Sequence, residues 1–351
     1  MRSGKTSALL VAIVTTLFIS PLAVRSQAVV AGTYTFPPTG KENRAMTIGG
    51  VVFIGNDSFV VRACDRESMC RFARFTLRAN SLQISAESDP VRAELPIYAS
   101  KLHRGPDGDF LLDGTRFDTS NFEALQTLPH QYEIISEDGS LIGFREGSEW
   151  CVTDLAHSRS CIVKSAARLL GIGGDTLVVK DGGKVRFLDF ANRQTGELQV
   201  RPNCMTGAKV LSAQQILIDD CGSAKIVTRT GKLKCSLGHF VFGYDGAFAD
   251  QSGGKLLFVL RRRHSSVLSH VGESAIAVGT LGVGVTDEEA NELLLRVIDT
   301  GTGKEIYQHI EPYRSPGAWA FADLSFDGRE FVVANGDQVT VYRFTVGMNE
   351  R

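Results

Sequence analysis

A short phrase occurs twice in this chain and constrains its fold more than any other feature. Ala-Phe-Ala-Asp-x-Ser stands at 247–252 and again at 320–325. Each copy leads through a glycine turn into an apolar run rich in Leu, Phe and Val. Such runs favour β-strands, and a unit that recurs along a chain is typical of repeat architectures. The phrase therefore predicts repeated units that are built from strands and not from helix pairs.

Turn signals divide the rest of the chain into strand clusters at intervals of about 35 to 50 residues, a spacing typical of β-propeller blades. The sequence predicts an all-β chain with a single propeller of seven blades, each a four-stranded antiparallel sheet. The blades are expected to begin near Thr47, Pro96, Gln131, Ala166, Met205, Phe242 and Pro316. The last blade has only three strand-like runs, so we expect the leader at 29–46 to supply a strand that closes the ring. The propeller itself is predicted over 47–346.

The first 28 residues have the pattern of a secretory signal peptide. Arg2 and Lys5 precede an apolar stretch from Ala8 to Ser20, which is 13 residues long. A helix that spans a membrane needs about 20 apolar residues. We therefore expect a secreted or periplasmic protein without stable membrane insertion after cleavage. Cleavage after Ser26 and cleavage after Ala28 both suit the small residues at this site.

Removal of that segment changes the formal net charge from −1 to −4, because it takes away three basic residues and no acidic one. Proteins that bind DNA or RNA usually carry a basic surface, since their affinity comes largely from neutralising phosphates. The charge therefore argues against a nucleic-acid partner.

The chain has seven cysteines, which in an exported protein indicate disulfides. Cys64 and Cys70 bracket a short turn, as do Cys151 and Cys161, and we predict a disulfide for each pair. The sequence leaves open which of the remaining three is unpaired: Cys204, Cys221 or Cys235. No Cys or His pair has the spacing of a zinc site, so no metal site is predicted.

Three segments resemble the repeat of WD40 proteins. Asp-Leu-Ser-Phe-Asp-Gly at 323–328 is similar to the strand and turn of that family, while 297–304 and 185–189 look like its strand that ends in Trp-Asp. The resemblance covers about half of the chain, and the Gly-His and Trp-Asp dipeptides themselves are missing. The sequence resembles quinoprotein-dehydrogenase-like and other bacterial propellers equally well. The resemblance implies a propeller fold that binds partners, and it carries over no catalytic residue.

The two copies of the phrase lie 73 residues apart, which is too far for one ordinary blade. In the sixth blade the second strand is expected to end near Leu260 and the third to begin near Leu293, which leaves 261–292 as their connection. The same connection is a short turn near 180–183 and near 335–338. Long connections in compact domains are often functional. This insertion is therefore the leading candidate site.

The insertion begins with Arg261, Arg262, Arg263 and His264. Guanidinium groups bind carboxylates and other planar anions through paired hydrogen bonds, so this cluster predicts a grip for an anion. The alternative is a long β-hairpin whose charges are only solvated. Both interpretations are open from the sequence.

Tyr313 and Trp319 flank the start of the last blade, where they are predicted either to form an aromatic contact platform or to pack in the core. Asp250 and Asp323, the acids of the repeated phrase, are expected to be structural and to accept hydrogen bonds from nearby backbone at the end of the first strand.

The sequence predicts a binding or scaffolding module that acts through its loop-rich face as a monomer and without a cofactor. Its partner is expected to be a protein or a small anionic ligand. The alternative is a propeller enzyme with a site at the channel mouth, either a metal-assisted hydrolase or lyase or a quinone-dependent dehydrogenase. A structural part of a cell-envelope assembly is a third interpretation.

Overall fold

The structure is a computed structural model, and it describes residues 27–39, 45–93, 102–128, 132–155, 159–163, 168–199, 205, 207–220, 223–239, 247–262, 292–314 and 320–345. In these ranges every regular element is a β-strand, and the strands form seven antiparallel sheets of four strands each, one of them with a short additional strand. The predicted seven-bladed β-propeller is confirmed. The predicted starts of the blades lie within a few residues of their first strands.

Each blade is a meander that runs from the central channel outwards. Blade 1 contains β2 (Thr47–Phe53), β3 (Ser58–Cys64), β4 (Met69–Arg78) and β5 (Ser81–Glu87), with the short β6 (Val91–Arg92) beside β4. Blade 2 contains β7 (Leu102–Arg104), β8 (Phe110–Leu112), β9 (Thr115–Phe117) and β10 (Ala124–Thr127). Blade 3 contains β11 (Ile134–Ile135), β12 (Leu141–Glu146), β13 (Glu149–Asp154) and β14 (Arg159–Val163).

The remaining blades follow the same order. Blade 4 contains β15 (Arg168–Gly173), β16 (Thr176–Asp181), β17 (Lys184–Leu188) and β18 (Gln194–Glu197). Blade 5 contains β19 (Gly207–Ser212), β20 (Gln215–Asp220), β21 (Ser223–Thr228) and β22 (Leu233–His239). Blade 6 contains β23 (Ala247–Ala249), β24 (Lys255–Arg262), β25 (Glu292–Asp299) and β26 (Glu305–Pro312). Blade 7 contains β27 (Ala320–Leu324), β28 (Glu330–Asn335), β29 (Gln338–Thr345) and, as its outer strand, β1 (Gln27–Thr35).

The ring closes where the N-terminal strand joins the last blade. β1 pairs with β29 from Gln27 opposite Thr345 to Thr35 opposite Gln338. Phe36 follows directly, is 2% exposed, and packs edge-on against Phe75 of blade 1. Pairing of the two chain ends leaves no blade with a missing strand, so separation of blades 7 and 1 requires loss of this sheet.

Burial explains why inner and outer strands have different sequences. β28, Glu-Phe-Val-Val-Ala-Asn, is buried at every position because blades pack on both of its faces. β10, an outer strand of sequence Ala-Leu-Gln-Thr, is exposed throughout. Strands that are covered on both faces read as continuous apolar runs, whereas edge strands tolerate polar residues. Apolar clusters fill the space between neighbouring blades, such as Leu257 and Val259 of blade 6 against Leu324 and Phe331 of blade 7.

The two copies of the repeated phrase occupy different structural positions. Asp250 and Ser325 both begin the turn from the first to the second strand, and their amides donate to Lys255 and Glu330 respectively. Asp250 is therefore the equivalent of Ser325 and not of Asp323. The copies are displaced by two residues, and a displacement of two keeps every side chain on the same face of a strand.

Glycines allow the turn between the first and second strands of a blade to approach the neighbouring blade closely. Gly139 has φ +69°, and a Cβ at this position would lie 1.8 Å from the carbonyl oxygen of Arg104 in blade 2. Gly253 has φ +68°, and its Cβ would lie 2.3 Å from the carbonyl oxygen of Leu211 in blade 5. The backbones touch only because no side chain separates them.

One predicted disulfide is confirmed. Cys64 and Cys70 lie opposite each other on β3 and β4 and are joined by a disulfide. The connection that they bracket, 65–68, links the second and third strands of blade 1.

The predicted disulfide between Cys151 and Cys161 is wrong. Cys151 lies opposite Ile162, and Cys161 lies opposite Val152. Because successive residues of a strand point to opposite faces, positions 151 and 161 belong to different faces of the sheet. Cys151 is a buried free thiol, and burial, together with the nearby carboxylate of Glu146, raises its pKa.

Cys235 is also free. Cys204 and Cys221 lie outside the described residues, as do residues 1–26 of the predicted signal peptide. The limits 1–28, 29–46 and 47–346 stay predictions. The described part of the chain has no helix that is long and apolar enough to cross a membrane.

Candidate functional site

The antiparallel meander sends the connections of every blade alternately to two ends of the ring. We call the upper end the one that carries the connections from second to third strand and from one blade to the next. The lower end carries those from first to second and from third to fourth strand. All residues that the sequence singled out for binding belong to connections of the upper end or to strand ends beside it.

The long connection of blade 6 is the feature that distinguishes the upper end. It runs over 263–291, between β24 and β25, and its residues lie outside the described ranges. The equivalent connections in blades 4 and 7 are the turns at 182–183 and 336–337. The fold therefore places the one predicted insertion at the end of the ring where the connections between blades also gather.

The structure changes the limits of this insertion slightly. Arg261 and Arg262 are the last residues of β24, where they pair with Leu293 and Glu292 of β25. The hairpin alternative thus holds for these two positions. Arg263, His264 and Trp319 lie outside the described residues, so the structure does not test the predicted anion grip.

Tyr313 is a core residue and not part of an exposed platform. It is 6% exposed and belongs to the apolar cluster between blades 6 and 7, which contains Leu295 and Ala320. The prediction that its ring offers a contact surface is wrong for this residue, and the alternative of core packing is correct. The physical reason is that Tyr313 follows β26 directly, where apolar side chains of blades 6 and 7 enclose its ring.

A hydrogen-bond network fixes residues 311–314, where the chain leaves blade 6. Asn335 accepts a hydrogen bond from the Arg314 amide at 2.8 Å and donates from Nδ2 to the Pro312 carbonyl at 2.8 Å. The Tyr342 hydroxyl donates to Glu311 Oε2 at 2.7 Å. Burial and the Glu311 carboxylate together raise the pKa of Tyr342 above its usual range. The described end of blade 6 is therefore held to blade 7 by side-chain hydrogen bonds.

The lower end holds a buried ion pair that spans three blades. Arg104, the last residue of β7 in blade 2, donates from Nη2 to Asp323 Oδ1 at 2.8 Å and from Nε to Asp323 Oδ2 at 3.2 Å. Asp323 lies in blade 7 and also accepts a hydrogen bond from the amide of Phe53, in blade 1, at 2.7 Å. The guanidinium stacks over the ring of Phe326 at 4.8 Å. Blades 7, 1 and 2 are thus joined at the seam where the ring closes.

Burial decides the electrostatics of this pair. The side chains of Arg104 and Asp323 are 6% and 8% exposed. Loss of water raises the pKa of Asp323. The charge and hydrogen bonds of Arg104 oppose that rise, as do the hydrogen bonds from the amides of Phe53 and Leu324. Removal of either charge leaves the other one buried and uncompensated, so both residues are needed for the stability of this seam.

A second polar bridge lies across the lower end on the opposite side of the ring. Lys209 of blade 5 forms a salt bridge with Glu137 of blade 3 at 2.5 Å, and it donates to the carbonyl of Ala247 at 2.6 Å. Glu137 also accepts a hydrogen bond from the amide of Ala249, in blade 6, at 3.4 Å. Each of the two bridges joins blades that are not adjacent in the ring, so together they restrain the movement of blades against each other at the lower end.

The expectation that the two repeated acids accept hydrogen bonds from nearby backbone holds for both. Asp250 accepts from the amides of Gly254 and Lys255, and Asp323 accepts from the amide of Leu324 at 2.9 Å. Asp323 differs in that it also contacts two other blades. The sequence analysis did not identify Arg104 as the partner of Asp323. The difference between the two copies that bears on this pair is that the turn begins at Asp250 in the first copy and at Ser325 in the second.

No group of three or more His, Cys, Asp or Glu residues with the arrangement of a metal site occurs in the ranges that the structure describes.

Comparison with family models finds no match for this chain, and comparison with curated proteins finds none either. Among solved structures, the chain is similar to the C-terminal WD40 domain of Sif2, with a TM-score of 0.49 and 10% identity over 89% of this chain and 99% of that domain. The seven-bladed architecture rests on the strand order itself. It is the fold that the resemblance to WD40-like proteins implied, while the quinoprotein relationship stays a prediction.

Proposed function

We propose that this protein is a binding module that recognises a protein or a small anionic ligand through the upper end of its propeller. The recognition surface is centred on blades 6 and 7, because the connection 263–291 and the link between the two blades both belong to the upper end. The lower end serves as the rigid base.

One observation carries this proposal. The hairpin of β24 and β25 stays paired up to Arg262 opposite Glu292, and the long connection starts only beyond that pair. The described strands of blade 6 are complete without this segment. Binding residues are often placed on such loops, which a rigid scaffold positions.

The network around Asn335 supports the same location. Asn335 and Glu311 hold the backbone that leaves blade 6, so the link to blade 7 starts from a fixed point beside the insertion. A partner that contacts both segments meets a surface with a preorganised base, which lowers the entropy lost on binding.

The Cys64–Cys70 disulfide supports an exported protein, because disulfides persist in oxidising compartments. In this proposal the protein acts as a monomer in the periplasm or outside the cell, after removal of the signal peptide.

The test is affinity capture from the native envelope and culture fluid with two forms of the mature protein. In the first form 263–291 is replaced by a four-residue turn, and the second form is intact. We expect a specific partner to bind the intact form only, because the shortened form keeps both strands of the hairpin and lacks only the proposed recognition segment. Equal melting temperatures of the two forms establish that the shortened protein is folded.

A matched control alters the equivalent turn of blade 4, where Gly182-Gly183 is changed to Asn-Gly. This turn lies at the same end of the ring, and the control is expected to capture the partner as well as the intact form does. If the shortened protein captures the same partners as the intact protein, the proposed site is refuted.

A further inference from the structure

Blade 1 carries an open cleft at the upper end, away from the insertion of blade 6. Its volume is about 380 Å³, and it is lined by Arg66, Glu67, Ser68, Met69 and Arg92. A cleft of this size has room for a few side chains of a peptide.

The cleft is rigid because its backbone is held on two sides. Below it, the Cys64–Cys70 disulfide closes the turn 65–68. Within the turn, Asp65 Oδ1 accepts hydrogen bonds from the amides of Glu67 at 2.9 Å and Met69 at 3.0 Å.

The short strand β6 forms the second side. It pairs with β4 so that Arg92 lies opposite Met69, and the Ala93 amide donates to the Ser68 carbonyl at 2.8 Å. Because residues directly opposite each other share a face, the side chains of Arg92 and Met69 lie next to each other. The pairing thus places an arginine from β6 beside the turn that carries Arg66.

The two arginines are exposed, and among the described residues neither forms a salt bridge. Their neighbour Arg71 differs, since it is paired with Glu87 at 2.7 Å. Two unpaired guanidinium groups at one cleft attract anionic oxygens, and the planar fork of arginine suits a carboxylate.

The other lining residues favour a carboxylate of a peptide over a phosphate. Glu67 adds one negative charge that weakens the binding of either anion, so the apolar part of the lining decides between a peptide and a phosphate. Met69 lines the cleft on the same face as Arg92, and it offers an apolar contact to a neighbouring side chain of the peptide.

We propose that this cleft binds an acidic segment of a partner protein, whose carboxylates pair with Arg66 and Arg92 while an adjacent apolar side chain covers Met69. The inference rests on the proposed function, because it assigns a chemistry to a partner that docks at the upper end.

The test measures binding of a labelled peptide with two glutamates beside a leucine by fluorescence anisotropy, with the full mature protein. The double variant Arg66→Ala/Arg92→Ala is expected to weaken binding at least 10-fold. The charge-matched control is Arg78→Ala/Arg193→Ala, which removes two exposed arginines from the lower end and is expected to leave the affinity within twofold. A peptide with glutamine in place of glutamate is expected not to bind.

Three results overturn the inference. They are an absence of binding to the glutamate peptide, equal weakening by both double variants, or competition by inorganic phosphate at concentrations where acetate has no effect. The last result assigns the cleft to phosphate.

The loop-shortened protein separates this inference from the proposed function. Peptide binding by that form supports the cleft, whatever the capture experiment shows. A partner that is lost with the insertion, together with a cleft that fails to bind the peptide, leaves the proposed function standing and refutes the cleft alone.

Discussion

Replacing Asp323 by Asn is expected to destabilise the whole ring, because it leaves the guanidinium of Arg104 buried without its counter-charge. Both side chains are less than a tenth exposed, and both guanidinium hydrogen bonds to the carboxylate are lost or weakened. Removal of one partner from a buried ion pair costs about 3–5 kcal/mol. The asparagine still accepts from the Phe53 amide, so we expect the lower limit, a loss of about 3 kcal/mol in the free energy of unfolding.

The assay is urea denaturation followed by tryptophan fluorescence, with the slope m compared between variants to confirm that the same surface unfolds. The double variant Asp323→Leu/Arg104→Met removes both charges and is expected to be more stable than Asp323→Asn. The control is the ion pair between Arg193, whose side chain is 80% exposed, and Asp189: Arg193→Ala is expected to destabilise the protein far less than Asp323→Asn does.

The reasoning is refuted if Asp323→Asn costs less than about 1 kcal/mol, or if the double variant loses as much stability as the single variants Asp323→Leu and Arg104→Met lose together. Either result means that the pair does not couple blades 7 and 2 energetically.

Three other predictions follow from the described contacts. Gly139→Ala is expected to cost about 1–3 kcal/mol more than Gly147→Ala, since both glycines have positive φ but only Gly139 lies against the backbone of a neighbouring blade; urea denaturation measures the difference. The Cys151 thiol is expected to react with iodoacetamide only in denaturant, because it is buried, and a native thiol that reacts as fast as a free cysteine contradicts this placement. Burial and a nearby carboxylate raise the pKa of Tyr307 to about 12, so the folded state keeps a proton that the unfolded state loses above about pH 10. The free energy of unfolding is therefore expected to fall by up to about 1.4 kcal/mol per pH unit from this residue between those two pKa values, and Tyr307→Phe is expected to show a shallower fall in an alkaline pH series.

Much of the fold was predictable because its signals are local. Apolar runs and glycine turns mark each strand and each hairpin, and their spacing along the chain gives the number of blades. The three strand-like runs of the last blade also predicted that a fourth strand comes from elsewhere, and β1 is the strand that pairs there. The insertion at 263–291 was detectable for the same reason, since it interrupts a regular spacing.

The candidate site was less predictable, because side-chain contacts depend on register and on which blades meet. Cys151 and Cys161 have a spacing that suits a disulfide, but a register difference of one residue places the two positions on opposite faces. Tyr313 has the sequence context of an exposed aromatic residue, yet the path of the chain into blade 7 buries it.

The sequence by itself determined a ring of strand repeats with one long connection, since those properties follow from composition and spacing within each blade. Only the tertiary structure decided that Asp323 pairs with Arg104 and that Glu137 pairs with Lys209. In both cases the partners are far apart in the chain and lie in blades that are not adjacent. The ring arrangement of the blades brings these partners within hydrogen-bond distance. A local pattern of residues does not show which distant residues the ring brings together.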